Sequence, residues 1–461
     1  MAGQAPTIPN PDHEIVPQHA VSDPPQAGEA RELPEAPESG TSGPRRSGGK
    51  SMKATWATSM VVVVAIGGGS AGLAQQYALV VVPPMAEGAS RVVTARADVS
   101  DIARATGADG LLASAGEVPA CRAAVERPDA DPLPIPCQGN VDPDGQFVVS
   151  LWLDPSAAER RVRVYPEGAM VHQPQCPAAL QFDQSADRVD VVGAGFRVSH
   201  AREKAWLPAR IEFAGSGKVF DSFALNDRIY HPERGGYALR DDAAAKLEVL
   251  AAGPLRVALR VSARYVRDGE PAPGGAQATY TFEYLAGSPE LRVEARVTQD
   301  AELQWTEIHL LEINFPDESF MRCALGDPEE ERELTASSEA IRGSRWGALL
   351  DGMNVLALVG GPCTVYDGRG GYGTYLHGPW TDFRSREWRG SATVWIGSGP
   401  TALAEARQAA RSPAVPRPIR LSTPRLEGAV AGMERTAREA QDVSEAGRAA
   451  WHAALVRQLV P

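Results

Sequence analysis

The stretch Gln277-Ala-Thr-Tyr-Thr-Phe-Glu-Tyr-Leu-Ala-Gly-Ser-Pro-Glu-Leu-Arg-Val-Glu-Ala-Arg-Val297 decides the fold. Tyr280, Phe282 and Tyr284 fall on one face, with Thr281 and Glu283 on the other. After Ala286-Gly287-Ser288-Pro289, Leu291, Val293, Ala295 and Val297 alternate with Arg292, Glu294 and Arg296. Period-two alternation on both sides of a Gly/Pro turn predicts a half-buried antiparallel hairpin. The segment from Trp305 to Phe315 extends the pattern. Read as one regular strand, it places Trp305, Glu307, His309, Leu311, Ile313 and Phe315 on one face, a plausible floor for a polar groove.

Strand patterns continue in both directions, with turn signals every ten residues or so. Phe147–Leu153, Val162–Tyr165, Val189–Val192, Ile211–Phe213, Leu255–Val261, Val355–Val359 and Ala392–Ile396 all read as strands. The one helical pattern in this region covers Ala97–Ala115. The expected fold class is mostly β: a large antiparallel β super-sandwich over 181–400, preceded by a smaller β domain over 75–180 and followed by a helical C-terminal tail over 401–461. Pro174-Gln-Cys-Pro177 marks the boundary between the β domains. In the tail, Thr401–Arg411 and Leu426–Leu459 read as helices, divided by the proline-rich Ser412–Pro424.

Ahead of the β domains, residues 1–51 are rich in Pro, Gly, Ser, Ala and Glu and cannot bury enough apolar surface to offset ordering; they are expected to be disordered. Residues 52–74 combine Lys53, the apolar run Met60–Ile66 and a small-residue exit ending at Ala74, the make-up of a secretory signal. Translation starting at Met52 would fit that reading. The glycines that follow Val61–Ile66 lack the helix a dinucleotide site requires, because the chain runs straight into Tyr77-Ala-Leu-Val-Val-Val82. The expected location is therefore secreted, periplasmic or cell envelope, with no stable membrane insertion after cleavage. Acidic residues outnumber basic ones 58 to 46, and no dense Lys/Arg run occurs, which argues against a nucleic-acid partner. None of the five cysteines stands in C-x-x-C spacing, so a zinc ribbon or redox motif has no support. After export one or two disulfides are possible, with Cys121 and Cys137 the most local pair.

Gly253-Pro-Leu-Arg-Val-Ala-Leu-Arg-Val261, followed by Tyr280–Val293, resembles the recurring strand pairs of galactose-mutarotase-like super-sandwich domains of carbohydrate-active enzymes. The region from Tyr77 to about Glu167, with Pro136-Cys-Gln-Gly-Asn-Val-Asp-Pro-Asp-Gly145, resembles the small N-terminal β-barrel of exo-rhamnogalacturonan-lyase-like proteins. The resemblance is one of structural pattern. It implies a polysaccharide or oligosaccharide substrate and assigns no catalytic residue.

Three polar-aromatic clusters carry the chemistry: Asn226-Asp-Arg-Ile-Tyr-His231, Trp305-Thr-Glu-Ile-His309 and Tyr372-Gly-Thr-Tyr-Leu-His-Gly-Pro-Trp380. β-Elimination at a uronic acid needs a base, an acid and a group to neutralise the carboxylate. Tyr230, His231, His309 and His377 are the candidate proton-transfer groups. Arg228 and Asn226 would bind the carboxylate, while Trp305, Tyr375 and Trp380 would offer faces for sugar rings, with Glu307 beside them. The leading expectation is a polysaccharide lyase. A glycoside hydrolase is the alternative; Glu307 and Glu312 lie on opposite faces of their strand and cannot form its acid pair, so the second acid would come from elsewhere, such as Asp227 or Asp382. A non-catalytic carbohydrate-binding or envelope structural protein is the third reading. Each residue also has a plain role open to it: shaping the turn before Pro232 for His231, and cross-strand ion pairing for Glu307. No cofactor or metal is expected, with Ca²⁺ conceivable only at Glu329-Glu-Glu331.

Overall fold

The alternating segments pair into an antiparallel sheet of nine strands, in the order Lys246–Ala252, Arg256–Arg264, Gln277–Leu285, Glu290–Thr298, Glu387–Ser398, Asn354–Val359, Trp346–Asp351, Arg322–Leu325 and Glu330–Glu333. The structure, a computed structural model, describes residues 77–85, 91–106, 121–165, 174–220, 224–225, 228–308, 312–315, 320–326, 330–337, 340–343, 345–368, 373–378, 383–411 and 419–420. The leader, the signal-like segment and the expected helix 426–459 lie outside them.

The quoted hairpin forms as its alternation requires. Phe282 pairs with Val293 and Tyr284 with Leu291; Leu259 and Ala392 extend the first row, and Val257 and Val394 the second. Tyr280, Phe282, Tyr284, Leu291, Val293, Ala295 and Val297 are all buried. Burying an aromatic chain of this size contributes about 3 kcal/mol, so the three aromatics alone give the inner face a strong drive to be covered. Gly287 turns the hairpin at φ 64°, and a Cβ there would come within 2.8 Å of the Trp152 ring. Only glycine suits both conditions.

Two groups of strands cover that inner face, sharing one core with it. One is a meander in the order Lys218–Phe220, Pro208–Phe213, Phe196–Ala201, Arg188–Val192, Gln181–Gln184. The other comprises two five-stranded sheets described below. Within this core lies His200, completely buried: its Nδ1 is 2.8 Å from the Trp206 carbonyl and its Nε2 is 2.7 Å from the Tyr284 hydroxyl. The carbonyl can only accept, so Nδ1 carries the proton and Nε2 accepts from Tyr284. Burial pushes the His200 pKa down from 6.5 to about 4.

The outer face of the nine-stranded sheet is covered at two places. Helix Ala402–Arg411 lays Ala402, Ala406 and Ala410, an i, i+4 stripe, against Ala348, Ala357 and Trp395. At its start the Thr401 hydroxyl bonds Glu405 at 2.8 Å. The second cover is the small N-terminal β unit, two four-stranded sheets around their own core. One sheet orders Ala78–Val82, Arg160–Tyr165, Arg122–Arg127, Ala130–Ile135. The other orders Ile419–Arg420, Val92–Asp98, Gln146–Trp152, Cys137–Val141. Ile419–Arg420, inside the proline-rich segment expected only to divide helices, returns to this unit as a parallel edge strand.

The seam is polar and specific. The buried Gln138 side chain accepts from the N–H groups of Leu255 and Arg256 and donates to the Arg256 carbonyl, each at 2.9 Å. Asn140 Nδ2 donates to the Leu250 carbonyl at 3.1 Å. Gly253 makes room: a Cβ there would lie 2.5 Å from Gln138. The mostly β, antiparallel sandwich expected from the sequence is the observed fold, but the segment from Trp305 to Phe315 is not one regular strand. It pairs as Glu307–Ile308 and Ile313–Phe315.

Two expectations follow. Gln138→Leu strands buried backbone donors at the seam and should cost about 3 kcal/mol in denaturant unfolding, against under 1 for an exposed Gln. For His200, the unfolded chain takes up a proton below pH 6.5 while the folded chain resists until about pH 4. Stability is therefore lost as pH falls through that window, by about 2 kcal/mol between pH 7 and 5. The double variant His200→Leu/Tyr284→Phe should lack this component, which unfolding curves at the two pH values will show.

Candidate functional site

The three polar-aromatic segments, far apart in the chain, lie on adjacent strands of the second layer. Arg228–His231 pairs with Glu307–Ile308 through Ile229↔Ile308 and Tyr230↔Glu307. Ala224–Leu225 pairs with Ile313–Phe315 through Ala224↔Asn314 and Leu225↔Ile313. On its other side, the same central segment meets the third cluster through Ile313↔Leu376 and Asn314↔Tyr375, and Trp305 bridges to Phe383 beyond that cluster.

The faces are fixed by what is buried. Ile229, Ile308, Ile313, Leu376 and Val365 belong to the sandwich core. Ile308 and Ile313 are five positions apart, so a regular strand could not turn both inward. The pairs Tyr230↔Glu307 and Leu225↔Ile313 belong to two different five-stranded sheets. Glu312 is buried, at 1% exposure.

Arg228 and Tyr230 alternate with the inward Ile229 and so share the outer face. A Cβ built at Gly236 would lie 3.5 Å from the Tyr230 ring and 4.0 Å from Arg228, so both side chains flank one bare patch of backbone. The Arg228 Nε is buried and has no hydrogen-bond partner among the described residues. A guanidinium in that state carries a desolvation cost that an anion would relieve.

His231 takes the other direction. Its ring meets the edge of Trp305 at 5.5 Å, and its Nδ1 accepts the Glu233 N–H at 3.2 Å. Trp305 is fully buried and donates its indole N–H to Gln299 at 2.9 Å; Tyr237 packs against it at 6.0 Å. In the third cluster Tyr375 stacks on Tyr366, with centroids 5.6 Å apart and an interplanar angle of 23°, as an aromatic pair across two strands. His377 is buried, with Nδ1 2.5 Å from the Gly378 carbonyl. Asn226, His309 and Trp380 lie outside the described residues, as does the side chain of Glu307. Sequence reasoning passed over Gly236 and Tyr366; both stand directly opposite singled-out tyrosines, but only cross-strand register reveals that.

Of the acidic loop considered for Ca²⁺, Glu330 pairs with Arg332, and Glu331 with Arg322 and Arg407. Among the described residues no group of three His, Cys, Asp or Glu is placed to hold a metal, and no helix is long and apolar enough to cross a membrane.

No family model and no curated protein matches the chain. Solved structures similar to it include an α-mannosidase from Enterococcus faecalis V583, at 11% identity over 74% of this chain and 45% of that one, with a TM-score of 0.47. A putative aldose 1-epimerase from Klebsiella pneumoniae is 10% identical over 51% of this chain and 86% of that one, TM-score 0.32. A GH36 α-galactosidase from Geobacillus stearothermophilus is 9% identical over 50% of this chain and 42% of that one, TM-score 0.36. The chain spans less than half the length of the mannosidase. None of these three is a rhamnogalacturonan lyase.

Arg228 gives a prediction that needs no ligand. Replacing Arg228, whose buried Nε has no hydrogen-bond partner among the described residues, removes a desolvation cost, so Arg228→Met should leave the melting temperature unchanged or raise it. A fall of several degrees would mean that Arg228 serves the fold.

Proposed function

We propose that this chain is a carbohydrate-active protein that binds an acidic glycan on the outer face of the second layer and cleaves it there. The observation that carries this reading is the Arg228 guanidinium, its Nε buried without a hydrogen-bond partner among the described residues, standing beside Tyr230 over the bare backbone of Gly236. A sugar carboxylate would satisfy the guanidinium in bidentate geometry, and the Tyr366–Tyr375 pair offers apolar surface to further rings.

Two chemistries fit that face. Hydrolysis needs two carboxyl groups, and Glu307, paired with Tyr230, is the candidate for one of them. In β-elimination Arg228 would neutralise the uronate while Tyr230 takes the proton and a second group returns one to the leaving oxygen. His231 turns toward Trp305, so it does not supply the second proton-transfer group beside Tyr230. Hydrolysis is therefore the reading we carry forward. Export follows from the signal-like residues 52–74 and is part of the same proposal.

Incubation of the full chain with uronic-acid polymers tests the whole reading. New reducing ends without ultraviolet-absorbing product mean hydrolysis; absorbing, unsaturated ends mean elimination. Arg228→Met should lower turnover at least ~100-fold while Gln304→Ala leaves it unchanged. Binding without turnover would leave a carbohydrate-binding protein, and neither binding nor turnover on any acidic glycan would end the proposal.

A further inference from the structure

We propose that Cys121 and Cys137 form a disulfide in the mature chain, a modification site that staples the strand docking the N-terminal β unit onto the sandwich. Their sulfurs are 3.4 Å apart, and both side chains are buried. The Cys137 thiol also points to the Cys121 carbonyl, 3.3 Å away. A disulfide needs its sulfurs about 2.0 Å apart, so the remaining approach is roughly 1.4 Å, within reach of small side-chain rotations. Gly139 keeps that space open, since a Cβ there would lie 3.0 Å from the Cys121 sulfur.

What the bond would hold is the more telling part. Cys137 immediately precedes Gln138, whose side chain makes three hydrogen bonds to Leu255 and Arg256; Asn140, two residues on, reaches Leu250. A cross-link at position 137 therefore fixes the strand that carries the seam to the strand beginning at Arg122. Cys176, Cys323 and Cys363 have no such neighbouring role on that strand.

The step is thiol–disulfide exchange. Each thiol gives up its proton, the two sulfurs together give up two electrons, and a disulfide donor such as oxidised glutathione is reduced to two thiols. The hydrogen bond to Cys137, together with burial, pushes the Cys121 thiol pKa well up. Thiolate is therefore scarce once the unit has folded, so exchange belongs to folding or to transient opening of this edge.

The test uses the full chain, refolded in oxidised and reduced glutathione, then denatured, alkylated without reductant, digested and weighed. The expected product is the Cys121 peptide joined to the Cys137 peptide, lighter by two hydrogens, with titratable thiols falling from five to three. Reductant should also lower the unfolding midpoint by roughly 5 °C in the native sequence but not in Cys121→Ala/Cys137→Ala. Full alkylation of both cysteines after oxidative refolding, or a link from either to Cys176, overturns the inference. The mass measurement stands even where the double variant fails to fold. Chain recovered from an oxidising compartment tests export separately: the bond forming with glutathione but missing there would keep the disulfide and sink the export reading.

Discussion

A carboxylate on the outer face of the nine-stranded sheet sets the terms for how the chain is put together. Glu283 lies between Arg256, 2.6 Å away, and Arg292, 3.5 Å away, and Arg256 is only 3% exposed. Burial pushes the Glu283 carboxyl up, but the two guanidiniums more than offset that and hold it below the ordinary carboxylate range. The inner face of the same strands is all aromatic and aliphatic, so the hydrophobic effect decides that it will be covered without choosing in what orientation. On the outer face, a charge that loses water must gain geometry in return. Gln138 supplies it at the backbone of Leu255 and Arg256, where the strand that carries Arg256 begins, and Asn140 at Leu250 on the strand beside it. The small unit can slide nowhere without exposing unmet donors, so a polar seam gives the two β units a single register.

That division of labour explains what could be read from the sequence. The hairpin from Gln277 to Val297 was legible because alternation, turn and burial all agree there. Helix Ala402–Arg411 was legible too, its alanine stripe standing out after the strands. His200 was not. A single histidine in a strand has no pattern of its own, and its partners, Trp206 and Tyr284, come from a turn and from another sheet. The Gln138 clamp was hidden for the same reason: the sequence shows a glutamine near a turn, and only tertiary pairing shows that it reads the backbone of residues 255 and 256.

The candidate site shows where strand reasoning is most fragile. Alternation is a strong guide until one residue is gained, and then every later side chain changes sides. Nothing in the residue types marks a break between Ile308 and Ile313, because Glu, Ile and His can face either water or a groove. Both isoleucines are buried although five positions apart, so alternation does not run unbroken from one to the other.

Burying the Arg228 Nε, which has no hydrogen-bond partner among the described residues, beside the core residue Ile229 has a cost in desolvation. Sequences under selection for stability alone would favour an apolar residue of similar length there. Arg228 shares its outer face with Tyr230 beside the bare backbone of Gly236, and the stacked Tyr366–Tyr375 pair lies on the other five-stranded sheet. On our proposal that coincidence is how a fold held together elsewhere keeps a locally unfavourable surface for a ligand.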